Sequence, residues 1–111
     1  MLLRLPELPD DPLEAAAQFH REVMPRVLAV LDGGAQVLTL VFAPDGFAHE
    51  DWRRAAVATL ARERSPARIN AVAGDDEAGI AASAAYLAEA PGVTGHYLVV
   101  DSCGSGPDPV A

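Results

Sequence analysis

With 111 residues, half of them apolar, the chain is long enough for one packed core and too short for a second domain. Sixteen acidic residues stand against eight basic ones, all arginine, and the net charge of −8 argues against a surface built to neutralise nucleic-acid phosphates. The absence of lysine excludes a P-loop and Schiff-base chemistry, while the single cysteine, Cys103, closes no internal disulfide and completes no Cys-x-x-Cys site.

Met1-Leu2-Leu3-Arg4-Leu5 is too short an apolar stretch for a signal peptide or a membrane span, so a cytoplasmic protein without a membrane partner is expected. Residues 2–5 suit a short strand, ended by Pro6, Pro9 and Pro12. From Pro12 the apolar residues fall at helical steps: Leu13, Ala16, Ala17, His20, Val23, Met24, Val27, Leu28 and Leu31. Asp10 and Asp11 supply the cap and Gly33-Gly34 the stop, and Pro25 inside the pattern predicts a kink or break near residues 21–25. Gln36 to Ala43 is a continuous apolar run, the mark of a strand buried on both faces, and Pro44-Asp45-Gly46 turns the chain out of it. A second helix is predicted from about Ala48 to Arg64, with Trp52, Ala55, Ala56, Thr59, Leu60 and Glu63 on one seam and Ser65-Pro66 at its end. Arg68 to Ala73 then forms a strand. Asp75-Asp76-Glu77 opens a third helix whose seam is Ile80, Ser83, Ala84 and Leu87 and which ends near Pro91-Gly92. His96 to Asp101 is the last strand, and residues 102–111 form a flexible tail or one docked on a neighbour. Alternating strands and helices on short links make one α/β domain over residues 1–111, its core at about 2–101, with a parallel sheet of three to four strands, about three helices, and two or three layers. So small a sheet leaves edges that need covering or pairing.

Asp45, His49, Glu50 and Asp51 cluster at the start of the second helix. A helix N-terminus draws acids without any metal, and the second histidine of a zinc helix is absent, so no metal site is expected there. His20, on the apolar stripe, reads as a hydrogen-bonded core or interface histidine. Trp52 reads first as core packing and second as an interface anchor. The serines show no nucleophile elbow.

Met24-Pro25-Arg26-Val27-Leu28 and Gly33-Gly34-Ala35-Gln36-Val37-Leu38 resemble the start of the C-terminal portion of a short-chain dehydrogenase/reductase, a Rossmann-like fold, where that family's fourth helix runs into its fifth strand. Leu60-Ala61-Arg62-Glu63 with Arg68-Ile69-Asn70-Ala71-Val72 is similar to the end of the catalytic helix and the sixth strand. Ala85-Tyr86-Leu87-Ala88, Thr94-Gly95 and Val99-Val100-Asp101 match the last helix, a threonine-glycine turn and the seventh strand. The resemblance covers nearly all of residues 13–104. Counting back from Ala61, it places the family's lysine at Glu50 and its tyrosine at Gly46, with the serine near Phe42-Ala43-Pro44, so the roles of proton donor, its activator and carbonyl orienter are vacant. No glycine-rich cofactor loop follows a strand; Gly104-Ser105-Gly106 runs into Pro107 and opens no helix. The substrate-covering segment after the sixth strand is reduced to Asp75-Asp76.

The resemblance therefore implies a partial Rossmann-like domain without catalytic residues, cofactor or metal. Because the family's fourth and fifth helices pair across a two-fold axis, it also implies a homodimer through the first two helices, or an unknown protein partner on that face. Candidate interface residues are His20, Met24, Leu28, Trp52, Arg53 and Ala56. The alternative is a regulatory module that binds a nucleotide or other small molecule at the carboxyl ends of its strands, where open α/β sheets bind ligands; an enzyme of different chemistry on the same remnant is the third expectation.

Overall fold

Residues 37–42 have no polar face, and in the fold they form a strand, β2 (Val37–Phe42), buried at every position but Val37. β1 (Leu2–Arg4) lies on one side of it and β3 (Arg68–Ala73) on the other, with β4 (Tyr97–Val99) beyond β3. The computed structural model describes residues 1–44 and 47–100, and its four strands are all parallel in the order β1-β2-β3-β4. The α/β reading with a small parallel sheet holds. Strand pairing in β4 ends at Ala73↔Val99, short of the predicted residue 101, and Asp101 and the predicted tail lie outside the described residues.

β1 leads into one helical arm made of α1 (Pro12–Gln18), a π turn (Phe19–Val23) and α2 (Met24–Asp32). β2 leads to α3 (Glu50–Glu63), and β3 to α4 (Glu77–Ala88). Asp11 caps α1 by accepting from the Glu14 N–H, with Pro12 at the first position; Asp76 caps α4 by accepting from the Gly79 N–H. Pro25 has no N–H for the preceding turn. The arm meets that loss by widening and neither breaks nor stops: the Met24 N–H reaches back five residues to the Phe19 carbonyl.

That π turn also decides which face is buried. The predicted stripe assumed regular helical steps, but the buried row is Ala15, Phe19, Val23 and Val27. Steps of four drift by about 40° each on a regular α-helix, and one wider turn restores the row to the sheet side. Leu13 is left 83% exposed and His20 is exposed, so neither belongs to the core. On α3 the buried row is Arg53, Ala56, Val57, Leu60 and Ala61, about one residue round from the predicted seam, and Ala55, Thr59 and Glu63 face solvent.

Strand alternation divides the interior in two. Leu38, Leu40 and Phe42 of β2 with Ile69, Ala71 and Ala73 of β3 face the helical arm and α3. Val41 and Val72 face the other side, where α4 brings Ile80 and Leu87 and Val100 closes the cluster. Each strand steps to the next in the same direction across the sheet, so connections on opposite faces have opposite hands. The connection through α4 is thus of the hand opposite to the other two, against the near-uniform right-handedness of such crossovers.

Two side chains lock β3 to the turn and helix beyond it. Arg68 donates to the carbonyls of Leu87, Ala88 and Ala90, placing a cation at the negative end of α4. Asn70, fully buried, donates to the Val93 carbonyl and accepts from the His96 N–H, while Thr94 Oγ1 accepts from the Ile69 N–H. Gly95, at a φ of 81° that favours glycine, turns its own N–H onto the Ile69 carbonyl. The threonine-glycine turn is therefore the clasp that sets β4 beside β3.

Candidate site at the carboxyl end of the second strand

Ala43 and Pro44 follow β2, and α3 starts at Glu50, so the first turn of α3 stands at the carboxyl end of that strand. His49 occupies the N-cap position, but its side chain does not cap the helix. It is buried and lies between Trp52 and the segment before α1. Trp52 Nε1 can only donate, so His49 Nδ1 accepts at 2.9 Å; the ring proton is then on Nε2, which donates to the Asp10 carbonyl at 2.9 Å. The pair ties α3 to the β1–α1 link. Trp52 is half-buried and packs against Phe19 at 5.4 Å and Phe42 at 6.0 Å between ring centres, inside an aromatic cluster that also holds Tyr97.

Arg53 enters this cluster from α3 and is only 4% exposed. Its Nη1 donates to the Ala43 carbonyl and to the Tyr97 hydroxyl, both at 3.0 Å, and the guanidinium lies over the Phe42 ring, 4.6 Å from its centre. Nε is sealed from solvent without a hydrogen-bond partner. Among the described residues Arg53 makes no salt bridge. The neighbouring Arg54 lies 5.1 Å from the centre of the Tyr97 ring and pairs with Glu50 at 3.6 Å, so the two arginines take opposite roles, one on the surface and one inside.

The positions singled out by the sequence scatter across this region. Glu50, where the family's lysine is placed, faces Arg54; Gly46 and Asp45 lie outside the described residues; Phe42, near the serine position, is a core residue. Among the described residues no three His, Cys, Asp or Glu side chains converge, and no helix is long and apolar enough to cross a membrane. Of the interface candidates, Arg53 and Ala56 are taken up by the chain's own interior. Met24 and Leu28 are half-buried and, with Thr59, Leu60, Glu63 and Arg64, line a groove between α2 and α3. His20 is exposed and its Nδ1 donates to the Ala16 carbonyl of its own helix, which corrects the expectation of a core histidine.

Further along the sheet the strand ends are closed. Val100 packs so tightly on the β3–α4 link that a Cβ built on Gly74 would lie 2.6 Å from the Val100 carbonyl oxygen, and one on Gly79 2.5 Å from the Val100 side chain. Gly74→Ala is expected to destabilise the fold by about 1–3 kcal/mol, read as a lower urea midpoint. An unchanged midpoint would mean that the link moves aside freely.

A family model described as short chain dehydrogenase-like protein, SDR-like, matches residues 3–100, a span that includes β2, β3, β4 and the Thr94-Gly95 clasp. The chain belongs to this SDR-like family. Comparison with curated proteins and with solved structures gave no match. The SDR-like match begins within β1 and takes in the other three strands and every helix among the described residues, so the partial Rossmann-like architecture read from the sequence stands. Arg53 is an interface candidate in the sequence, but its burial and its Tyr97 partner escaped that reading, although a signal was present: Arg53 heads the row Ala56, Val57, Leu60 and Ala61 at helical spacing, which makes it the charged member of a buried face.

Proposed function

We propose that this SDR-like domain is a non-catalytic association module that pairs with a second copy through the face formed by α2 and α3. The groove between those helices carries the reading: Met24, Leu28 and Leu60 supply an apolar floor, and Glu63 and Arg64 a charged rim, the arrangement of an interface core within a polar border. Support for the absence of catalysis comes from the sequence, which has no lysine, and from Glu50 and Phe42, which stand at or near two positions of the family's reacting groups and are engaged by Arg54 and by the core. Isologous pairing is the commonest way for such a face to be covered, and one helix pair from each copy would make a four-helix contact.

Leu28→Glu tests the reading better than a change at Trp52, because Trp52 also holds His49 and the aromatic cluster. Light scattering is expected to give a dimer mass for the natural protein. With Leu28→Glu the dissociation constant should rise at least about 30-fold, the effect of losing one interface anchor, while thermal unfolding at the same concentration of monomer stays cooperative. A natural protein that is monomeric at every accessible concentration sinks the proposal.

A further inference from the structure

We infer that a second copy of this chain docks on the α4 side of the sheet, its own α4 lying beside the first and over β1. This surface is on the opposite side of the sheet from the α2–α3 face, so the inference goes beyond that pairing and does not depend on it. The first observation is α4 itself. Its buried residues are Gly79, Ile80 and Leu87, yet no residue from Ala78 to Ala88 is charged, and the positions left exposed are five alanines and Tyr86. A helix on the surface of a lone domain turns charges outward, as α3 does with Arg54, Arg62 and Glu63, whereas a helix apolar all round is a buried one. The second observation is the strip of sheet beside α4. An all-parallel sheet needs cover on both faces. The arm and α3 cover the four strands on one side, but α4 alone serves the other: Ile80 and Leu87 pack with Val41, Val72 and Val100, which centres α4 over β3. Leu3 of β1 faces the arm, so Leu2 and Arg4 face the α4 side, where both are exposed and Val37 of β2 is only half-buried.

The strip has the width of one helix. β1 lies two strands from β3, about 9.6 Å, and packed helices stand about 8–10 Å apart, so a helix over β1 fits against α4 without a gap. The flank of α4 turned toward β1 is fixed by the Arg4–Glu77 pair at 2.7 Å, and Ala81, Ala84 and Ala88 follow Glu77 along that flank at steps of three and four. Ala78, Ala82 and Ala85 form the back of the helix, away from its own sheet and free to meet the strip of another copy. The chain thus carries, side by side, an uncovered strip one helix wide and a helix with an uncovered apolar back, the self-complementary patch that a two-fold pair requires. Two such helices sharing one layer between facing sheets are related by an axis that runs along them. They are therefore parallel, like positions face each other, and Glu77 of each copy meets Arg4 of the other. Each copy buries three faces about 18 Å long and about 10 Å wide, the flank and back of α4 and the strip, roughly 1,100 Å² in total. That is the size of a weak, concentration-dependent contact, so this pairing forms at higher concentration than the α2–α3 dimer.

Cysteine cross-linking tests the inference on the full chain carrying Cys103→Ser, which removes the one natural thiol. Ala81→Cys places a thiol on the flank turned toward β1, and Tyr86→Cys places one half a turn round the helix from Glu77, at a residue 62% exposed. Under mild oxidation at high protein concentration, Ala81→Cys is expected to give covalent dimer at least about tenfold faster than Tyr86→Cys, because facing positions on closely packed helices lie within disulfide reach. Adding Ala85→Glu, an exposed change that a helix accepts readily, or Leu2→Glu should slow the Ala81→Cys link about tenfold or more by forcing a carboxylate into the contact. Adding Leu28→Glu should leave the preference for Ala81→Cys over Tyr86→Cys in place, which keeps the two pairings apart: the link survives loss of the α2–α3 dimer, and that dimer survives loss of the link. The inference is overturned if the two cysteines link at the same rate, as they do when the strip is covered by a different protein or by residues 101–111. It is overturned equally if neither glutamate slows the link.

Discussion

Phe19→Ala is expected to cost about 3–5 kcal/mol, a large share of the about 5–15 kcal/mol that holds an ordinary domain folded. Phe19 is completely buried and its ring meets Phe42 at 5.9 Å and Trp52 at 5.4 Å, so its loss opens a cavity where the helical arm, β2 and α3 come together. The backbone there cannot close the gap easily. Phe19 begins the π turn and its carbonyl takes the Met24 N–H, which fixes the arm on both sides of the ring. Urea denaturation followed by tryptophan fluorescence suits the measurement, because Trp52 reports on the same cluster. Leu13→Ala, at a position 83% exposed on the same arm, should change stability by no more than about 0.5 kcal/mol. A Phe19→Ala loss as small as that of Leu13→Ala would place the arm's packing elsewhere.

The contrast between these two residues shows where sequence reasoning stopped. β2 was legible because its apolar run, interrupted only by Thr39, can be satisfied only by cover on both faces, and the cap at Asp11 was legible because a short acidic side chain next to a helical pattern has a local task. Both are properties of a few neighbouring residues. The buried face of the arm is not, since it depends on how the chain absorbs the missing N–H of Pro25, and a kink, a break and a π turn present different faces from the same letters. The choice of a π turn follows from the packing of Phe19 between Phe42 and Trp52, residues far along the chain. The side of the sheet taken by α4 was likewise hidden, because the general rule of hand predicts the other face and nothing in residues 77–88 contradicts it.

The candidate site was legible mainly in what it lacks. Counting from Ala61 located Glu50, and the composition alone removed the lysine chemistry; both statements need only the sequence. Arg53 required the fold. An arginine after a tryptophan at a helix start ordinarily reaches water, and what holds this one inside becomes evident only when Tyr97, from β4, and Ala43, from the end of β2, are brought to its Nη1.

Asn70→Ala is expected to destabilise the fold by about 2–3 kcal/mol and, more tellingly, to release the clasp between β3 and β4 before the rest of the sheet. The Asn70 amide serves two backbone groups at once, the Val93 carbonyl at 3.1 Å and the His96 N–H at 2.9 Å, and alanine leaves both without their side-chain partner beside a core position. Thr94 and Gly95 still hold Ile69 through their own bonds, so the turn keeps one half of its attachment. Hydrogen exchange separates these contributions. The His96 amide should lose its protection by about the full measured destabilisation, whereas the Gly95 amide, bonded to Ile69 at 2.7 Å, should lose less. Because the His96 carbonyl in turn receives the Ala71 N–H at 2.8 Å, loosening at His96 passes directly into the β3–β4 ladder and moves Tyr97 with it. Tyr97 carries one of the two bonds of Arg53. If the Asn70 variant kept both His96 protection and the Arg53 Nε–H resonance unchanged, the clasp would have no hold on the site; movement of the two together makes Asn70 the residue through which a turn on one side of the sheet positions the buried arginine on the other.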